Sequence, residues 1–290
     1  MFKKSRPPKV IQSAHPNGHF YSPVVDPASL ESSTDAIWRT DPDILGIDFN
    51  DASHLQILQH DFPAYIGAWD YPERLQESAE LNRFYTQNSQ FSWLDARALF
   101  VLLQKWQPGR VIEVGCGFSS LLIADVSTRL LAKPLEFTCI EPYPREFLKN
   151  GQQGINHLLE ERVQDLPLAV FSELAAGDIL FIDSSHVTKT GSDVNYLFFE
   201  VLPRLATGVH IHIHDIFLPL EYPREWVLDE NRSWNEQYLV RALMMYSDSF
   251  QLSFGCNYAF WKYPAAVIKA LNLPGGAGFG GGSFWITRVN

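Results

Sequence analysis

The fold class is indicated most directly by the sequence VIEVGCGFSS, residues 111–120. It begins as a short β-rich apolar run, passes through Gly115 and Gly117, and continues into the helical pattern SSLLIADVSTRLLAK. Glycines separated by one residue allow a tight turn and a close approach of the backbone to a ligand. Such loops lie at the carboxyl ends of strands in parallel α/β sheets, where ligands bind. The stretch therefore predicts a strand, a ligand-binding loop and a helix.

Short β-rich runs alternate with helical stretches from this point onward. The predicted strands are RVIEVG (110–115), LEFTCIE (135–141), a third ahead of ERVQDLP (161–167), DILFID (178–183), VHIHIH (209–214), FQLSFGCNYAF (250–260) and GGSFWITRV (281–289). Alternation of this kind predicts an α/β fold, in which helices cover both faces of a mostly parallel, doubly wound sheet.

Three regions are predicted along the chain. Residues 1–50, rich in Pro, Ser and His, form an N-terminal arm with turn signals but no sustained period. Residues 51–107 form a helical extension, in which WLDARALFVLLQKW is a helix with a broad apolar face, stopped by the following Pro-Gly pair. Residues 108–290 form the ligand-binding α/β domain.

Composition excludes several classes of function. The 290 residues carry 46% hydrophobic and 19% charged side chains and a net charge of −10, and a nucleic-acid partner is not expected because its binders gather basic surface. No apolar run approaches the roughly 18 residues of a membrane span. The three cysteines form no C-x-x-C pair, so we expect reduced thiols in a cytoplasmic protein.

The glycine loop narrows the choice of cofactor. The absence of G-K-[ST] excludes a phosphate-binding P-loop, and Ser120 occupies the position where the dinucleotide fingerprint needs a third glycine. An NAD(P)-dependent oxidoreductase is therefore a disfavoured alternative. Glu141 ends the next predicted strand, 28 residues after Glu113. A carboxylate at that position can accept hydrogen bonds from both hydroxyls of a ribose.

The E-x-G-x-G pattern, followed by this acidic residue, resembles the class I S-adenosylmethionine-dependent methyltransferases over residues 90–290. The resemblance implies a Rossmann-like sheet of seven strands, with a final antiparallel strand inserted into it, and S-adenosylmethionine as cofactor. It also implies a set of cofactor-binding residues: Glu113, Gly115, Gly117 and Ser119 at the methionine end, Glu141 at the ribose and Asp165 at the adenine.

Two further predicted strands end in residues that could bind a metal or transfer a proton. DILFIDSSH (178–186) supplies Asp183 and His186, and GVHIHIHDIF (208–217) ends with His214 and Asp215. Side chains alternate along a strand, so His210, His212 and His214 share one face. His210 and His212 lie further from the carboxyl end of the strand than His214, and we expect them to be packed or hydrogen-bonded. In the fold that the resemblance implies, the fourth and fifth strands are neighbours, so these two ends meet.

Such a convergence suits a divalent cation held by Asp183, His214 and Asp215. The cation would lower the pKa of a substrate hydroxyl, with His186 as general base. This looks like the metal-dependent O-methyltransferases acting on sugar hydroxyls of natural products and glycans, where an acidic pair ends the fifth strand. In this chain a His-Asp pair occupies that position. Whether the cation is Mg²⁺ therefore stays open, and an imidazole ligand would favour Mn²⁺, Fe²⁺ or Zn²⁺.

Several alternatives stay open. His186 or His214 serves as the only base and no metal binds; Asp183 and Asp215 alone bind the metal while His214 packs against helices; or the chain is a non-catalytic cofactor-binding protein. The substrate is a small molecule or a saccharide. The arm either folds over the site or contacts a second copy in a homo-oligomer. Ser233 and Glu236 are expected to form a capping box for the helix at 234–246.

Overall fold

The computed structural model describes residues 13–75, 83–271 and 280–290. The first twelve residues of the predicted arm and residues 76–82 of the predicted helical extension lie outside these ranges. No helix of the described residues is long and apolar enough to cross a membrane.

A seven-stranded sheet forms the centre of the larger compact unit, in the order β3-β2-β1-β4-β5-β7-β6. The strands are β1 (Arg110–Val114), β2 (Glu136–Ile140), β3 (His157–Leu159), β4 (Ile179–Ile182), β5 (His210–Ile213), β6 (Phe250–Gly255) and β7 (Phe284–Arg288). Strands β1 to β5 pair in parallel, whereas β7 is antiparallel to both β5 and β6. The predicted doubly wound sheet with one inserted antiparallel strand is confirmed.

The described residues contain twelve α-helices. They are α1 (Pro27–Leu30), α2 (Thr34–Ile37), α3 (Asp51–Gln56), α4 (Phe62–Tyr65), α5 (Trp93–Trp106), α6 (Phe118–Arg129), α7 (Glu146–Lys149), α8 (Asp193–Tyr196), α9 (Arg224–Leu228), α10 (Glu236–Tyr246), α11 (Cys256–Lys262) and α12 (Pro264–Leu271). Single π-helical turns extend α3 and α8, at Ile57–Asp61 and Leu197–Val201. The helical N-terminal region predicted from the sequence is present.

Each face of the sheet packs into its own hydrophobic core, as the two-residue period of a strand requires. On β4, Phe181 belongs to the core beneath α5, α6 and α12, whereas its neighbours Leu180 and Ile182 belong to the core with α8 and α10. On β5, His212 is fully buried and stacks on Phe181 with ring centroids 3.7 Å apart. His210 stacks on Trp106 at 3.8 Å. Both histidines are packing residues, as predicted.

Strand register brings three loops to one edge of the sheet. Val114 is level with Ile182, and Ile182 is level with Ile213. The residues that follow these three strand ends therefore leave the sheet side by side. Backbone hydrogen bonds continue the ladder one step further, because the Asp183 N–H donates to the Val114 carbonyl at 2.8 Å.

The chain divides into two compact units. The larger comprises residues 41–220 and 234–290, and the smaller comprises residues 1–40 and 221–233. Within the smaller unit, the Trp38 indole N–H donates to the Tyr222 carbonyl at 2.8 Å, and the Val25 N–H donates to Ser233 Oγ at 3.1 Å. The boundaries predicted at residues 50 and 107 stay predictions.

Two local expectations were wrong. FQLSFGCNYAF is a strand only to Gly255, because the chain turns there into α11. Helix α10 begins at Glu236 with Asn235 as N-cap, and no side chain caps it. The predicted capping box is therefore absent, and the Glu236 carboxylate is bonded elsewhere.

Candidate active site

The glycine loop after β1 is held against the end of β4. Gly115 has φ +83°, and a Cβ at this position would lie 1.7 Å from the backbone oxygen of Asp183. Only glycine adopts this conformation and leaves room for the neighbouring chain. Gly117 is extended and precedes α6, and its N–H donates to Ser120 Oγ at 3.0 Å.

Glu113 supports this loop from inside the sheet. It is fully buried, and its carboxylate accepts hydrogen bonds from the hydroxyls of Ser119 and Ser120, each at 2.5 Å. Burial raises the pKa of Glu113 to about 8, against the lowering effect of these two bonds. The glutamate therefore ties β1 to the first turn of α6.

A cavity of about 480 Å³ opens beside the loop. Gly115, Glu141, Gln164, Asp183 and other residues near the ends of β1, β2, β3 and β4 line it. Of the four loop residues predicted to contact the cofactor, only Gly115 is among its lining residues, and Gly117 is not. Glu113 and Ser119 are buried and hydrogen-bonded to each other, and their contact with the cofactor stays a prediction.

Glu141 lies where the sequence places it, at the end of β2 and in the cavity wall. Its carboxylate accepts the N–H of Tyr143 at 2.9 Å and the N–H of Cys116 at 3.3 Å. These two bonds fix the orientation of the side chain and link it to the glycine loop.

Asp165 is not among the residues that line the cavity, and its contact with adenine stays a prediction. The short 3₁₀ turn Val163–Asp165 directs this carboxylate outward, where it forms an ion pair with Arg162 at 2.7 Å. Its partner Arg162 and the neighbouring residues Val163 and Gln164 line the cavity. Sequence reasoning missed Gln164 because the three-residue strand β3 gave no clear endpoint from which to count.

Asp183, His186 and Asp215 converge at the same edge of the sheet. Each offers one possible ligand atom, and the three atoms lie within 4.8 Å of one another. His186 Nε2 is 3.4 Å from Asp183 Oδ1 and 3.5 Å from Asp215 Oδ2. His186 and Asp215 both have positive φ, +59° and +57°, and these turns direct the two side chains toward Asp183. Asp183 also lines the cavity, so the cluster lies at its rim.

A fourth polar group, Glu236, was not expected at the site. The side chain has no exposure, and its Oε2 lies 3.0 Å from His186 Nδ1. Burial favours neutral imidazole, but the hydrogen bonds with Asp183 and Glu236 outweigh it and raise the pKa of His186 well above its usual range. Burial also raises the pKa of Glu236 and, despite His214 nearby, that of Asp215.

His214, which the sequence predicts as a metal ligand, is not part of this cluster, and that role stays a prediction. Its side chain continues the alternation of β5 and lies on the face of His212, with ring centroids 5.6 Å apart, and against Phe91 at 5.3 Å. Its Nε2 reaches only to 3.6 Å from Asp215 Oδ1. Among the described residues, His214 Nδ1 has no hydrogen-bond partner.

Asp95 on α5 is a second residue that the sequence did not reveal. Its carboxylate is buried and accepts the N–H groups of Gly282 and Ser283 at 3.0 and 2.8 Å. A Cβ on Gly282 would lie 2.7 Å from the Cα of Asp215. Asp95 therefore holds the segment that precedes β7 against the backbone of the candidate site.

Comparison with known proteins agrees with this geometry. Residues 112–216, which run from β1 through Asp215, match the model of a family described as a methyltransferase domain. Together with the strand order and the glycine loop, the match identifies the chain as a member of the class I S-adenosylmethionine-dependent methyltransferases. An uncharacterised protein of Archaeoglobus fulgidus is 33% identical over 178 residues, covering 60% of this chain and 80% of that protein.

Solved structures show weaker likenesses. The O-methyltransferase TomG from Streptomyces achromogenes, solved with S-adenosylmethionine, is 13% identical, with a TM-score of 0.38 over 90% of this chain and 96% of that one. An O-methyltransferase from Bacillus cereus, solved with S-adenosylhomocysteine, is also 13% identical, with a TM-score of 0.40 over 90% and 97%. Both TM-scores lie below 0.5, and neither likeness bears on what this chain does.

Proposed function

We propose that this enzyme transfers the methyl group of S-adenosylmethionine to a hydroxyl oxygen of a small molecule or saccharide, with a divalent cation held by Asp183 and Asp215. The observation that carries the proposal is the double position of Asp183. Its side chain belongs to the carboxylate–imidazole cluster, and the residue lines the cavity beside the glycine loop. Groups able to activate a hydroxyl therefore lie at the rim of the cofactor cavity.

The cavity suits the cofactor. Its volume of about 480 Å³ falls within the range of small-molecule sites. The absence of a side chain at Gly115 lets the loop backbone pass close to the end of β4. The two backbone donors to Glu141 orient its carboxylate, which retains acceptor capacity for ribose hydroxyls.

The donor set suits a divalent cation. Among the described residues, no N–H or O–H of the backbone or of a Ser, Thr or Tyr hydrogen-bonds to the Asp183 or Asp215 carboxylate, and the charged contacts of both are with imidazoles. Such carboxylate oxygens bind Mg²⁺ or Mn²⁺. When bound, the cation would lower the pKa of a substrate hydroxyl and orient its oxygen.

The reaction balances without another reactant. The sulfonium C–S bond breaks, a C–O bond forms, and the hydroxyl proton leaves, so the products are a methyl ether, S-adenosylhomocysteine and a proton. The chain supplies alignment of the oxygen with the methyl carbon and a charged setting for loss of the proton.

The first experiment is calorimetric titration with S-adenosylhomocysteine, in parallel with NADH, for the wild-type chain, Glu141→Ala and Glu161→Ala. We expect binding to wild type and to Glu161→Ala, where the side chain is exposed and outside the cavity wall, and loss of binding in Glu141→Ala. Failure of the wild type to bind, or preference for NADH, contradicts the cofactor assignment.

The second experiment measures methyl transfer from S-adenosylmethionine to a panel of hydroxyl acceptors, including sugars, nucleotide sugars and phenols, with and without EDTA. We expect transfer to at least one acceptor class, loss with EDTA and recovery with added Mn²⁺ or Mg²⁺. Transfer that EDTA does not affect would remove the metal from the proposal and leave the methyltransferase in place.

A further inference from the structure

His186 is held from both sides of its ring. Nδ1 lies 3.0 Å from Glu236, and Nε2 faces Asp183 and Asp215 at 3.4 and 3.5 Å. We propose that His186 is the nitrogen ligand of an Asp183–His186–Asp215 metal centre, and that Glu236 is the positioning residue that directs His186 Nε2 into it. The inference rests on the cation in the proposed function and replaces the general-base role that the sequence indicated for His186.

The two aspartates, whose side chains are 27% and 14% exposed, differ from the buried carboxylates of the larger unit. Glu113 accepts bonds from two serine hydroxyls, and Asp95 accepts two backbone N–H groups. Asp178 accepts three backbone N–H groups, between 2.8 and 3.1 Å. Asp183 and Asp215 have instead only imidazole nitrogens nearby, at 3.4–3.6 Å. Two carboxylates with open acceptor capacity on either side of one imidazole nitrogen form a donor set suited to a divalent cation.

Glu236 fixes which nitrogen of His186 is available. A carboxylate only accepts, so the bond to Glu236 places a hydrogen on Nδ1 and, in neutral imidazole, the lone pair on Nε2. A cation bound between the two aspartates would displace the proton from Nε2 and meet its lone pair. Histidines that ligate metals commonly donate their other N–H to a carboxylate in this way.

The ring has little freedom to turn away. The His186 carbonyl accepts the N–H groups of Asn235 and Glu236 at 3.1 and 3.2 Å, so backbone and side chain are tied to the same turn of α10. The ring of Trp234 packs against the imidazole with centroids 4.4 Å apart. Glu236 itself is fully buried and cannot move to solvent without breaking these contacts.

His214, the nitrogen ligand that the sequence indicated, lacks such support. It packs against Phe91 and His212 on the helix-covered face, and its Nε2 approaches only one of the two aspartates. One imidazole and two carboxylates form a mixed N,O donor set, which suits Mn²⁺, Fe²⁺ or Zn²⁺ better than Mg²⁺.

The test uses Mn²⁺ alone, added to the full-length chain, with binding followed by calorimetry and electron paramagnetic resonance. Modulation from a directly bound nitrogen reports imidazole coordination, which a purely structural role of His186 would not produce. The variants are His186→Gln, Glu236→Gln and, as a matched buried histidine, His214→Gln. Thermal unfolding without metal and binding of S-adenosylhomocysteine show whether each variant is folded.

We expect wild type and His214→Gln to bind Mn²⁺ with nitrogen modulation. Glu236→Gln should bind about 10–100-fold more weakly, and His186→Gln should lose the modulation and bind more weakly still. The inference is overturned if wild type binds no Mn²⁺, if the modulation is absent, or if it survives in His186→Gln. Failure of S-adenosylhomocysteine to bind wild type would instead contradict the proposed function, so the two failures are distinguishable.

Discussion

The backbone oxygen of Asp183 occupies the position that a Cβ on Gly115 would need, 1.7 Å from where that atom would lie. The glycine loop and the end of β4 are thus in direct contact. One contact therefore sets the distance between the cofactor cavity and the carboxylate that we assign to the cation.

This contact predicts that a single methyl group added at Gly115 has a large effect on cofactor binding. Gly115→Ala should abolish detectable binding of S-adenosylhomocysteine, because the loop must move away from β4. Gly151→Ala is the matched control, since Gly151 also has a positive φ, +81°, but has no atom within 4 Å of the added Cβ. The control should cost only about 1–2 kcal/mol of backbone strain and leave the affinity unchanged. Equal binding by both variants would contradict the contact.

Glu113 predicts a pH dependence of stability. Its pKa is raised to about 8 in the folded state from an ordinary value near 4.5, so the folded chain retains a proton that the unfolded chain releases. The free energy of unfolding should therefore fall as pH rises between these values, by at most about 1.4 kcal/mol per pH unit from this group. Glu113→Gln should remove that part of the fall. Urea denaturation of both proteins at pH 5, 6, 7 and 8 measures it, and equal slopes would contradict the assignment.

Asp215 is predicted to act in catalysis and not in cofactor binding. Asp215→Asn should lower kcat for the best acceptor by about 100-fold or more, because a cation at the site contributes several kcal/mol. The affinity for S-adenosylhomocysteine should change little, since Asp215 does not line the cavity. A parallel loss of cofactor binding would indicate a structural defect instead.

Substitutions of Asp165 and Gln164 are predicted to affect cofactor binding differently, although the two residues are adjacent in sequence. Asp165→Asn should leave the Kd for S-adenosylhomocysteine within about two-fold, because its exposed ion pair with Arg162 is worth at most about 1 kcal/mol. Gln164→Ala alters the cavity wall and should weaken binding. The opposite order of effects would support the predicted contact of Asp165 with adenine.

Strand ends were predictable from the sequence, and contacts made by loops and helix starts were not. Gly115, Glu141, Asp183 and Asp215 each follow a strand with clear apolar periodicity, so their edge of the sheet could be inferred. His186, and not His214, faces both aspartates because His186 and Asp215 have positive φ angles, which no residue pattern in the sequence predicts.

Glu236 and Asp95 show a different limit. The spacing of Ser233 and Glu236 indicated a local capping box, but the glutamate bonds a histidine 50 positions away in the chain. Asp95 lies in a helix for which the sequence predicts a broad apolar face. Its carboxylate accepts backbone N–H groups that are 187 and 188 residues away in the chain. Side-chain contacts over such separations follow from the assembled fold and leave no local period.

The order of strands also constrains how the molecule is made. Strand β7 is the last of the seven to leave the ribosome, yet it lies between β5 and β6. Until Phe284–Arg288 has been synthesised, β6 has no neighbour in the sheet and the outer edge of β5 is unpaired. The segment that Asp95 holds against Asp215 directly precedes this strand. A nascent chain therefore completes the sheet edge that carries the candidate site only when β7 inserts between β5 and β6.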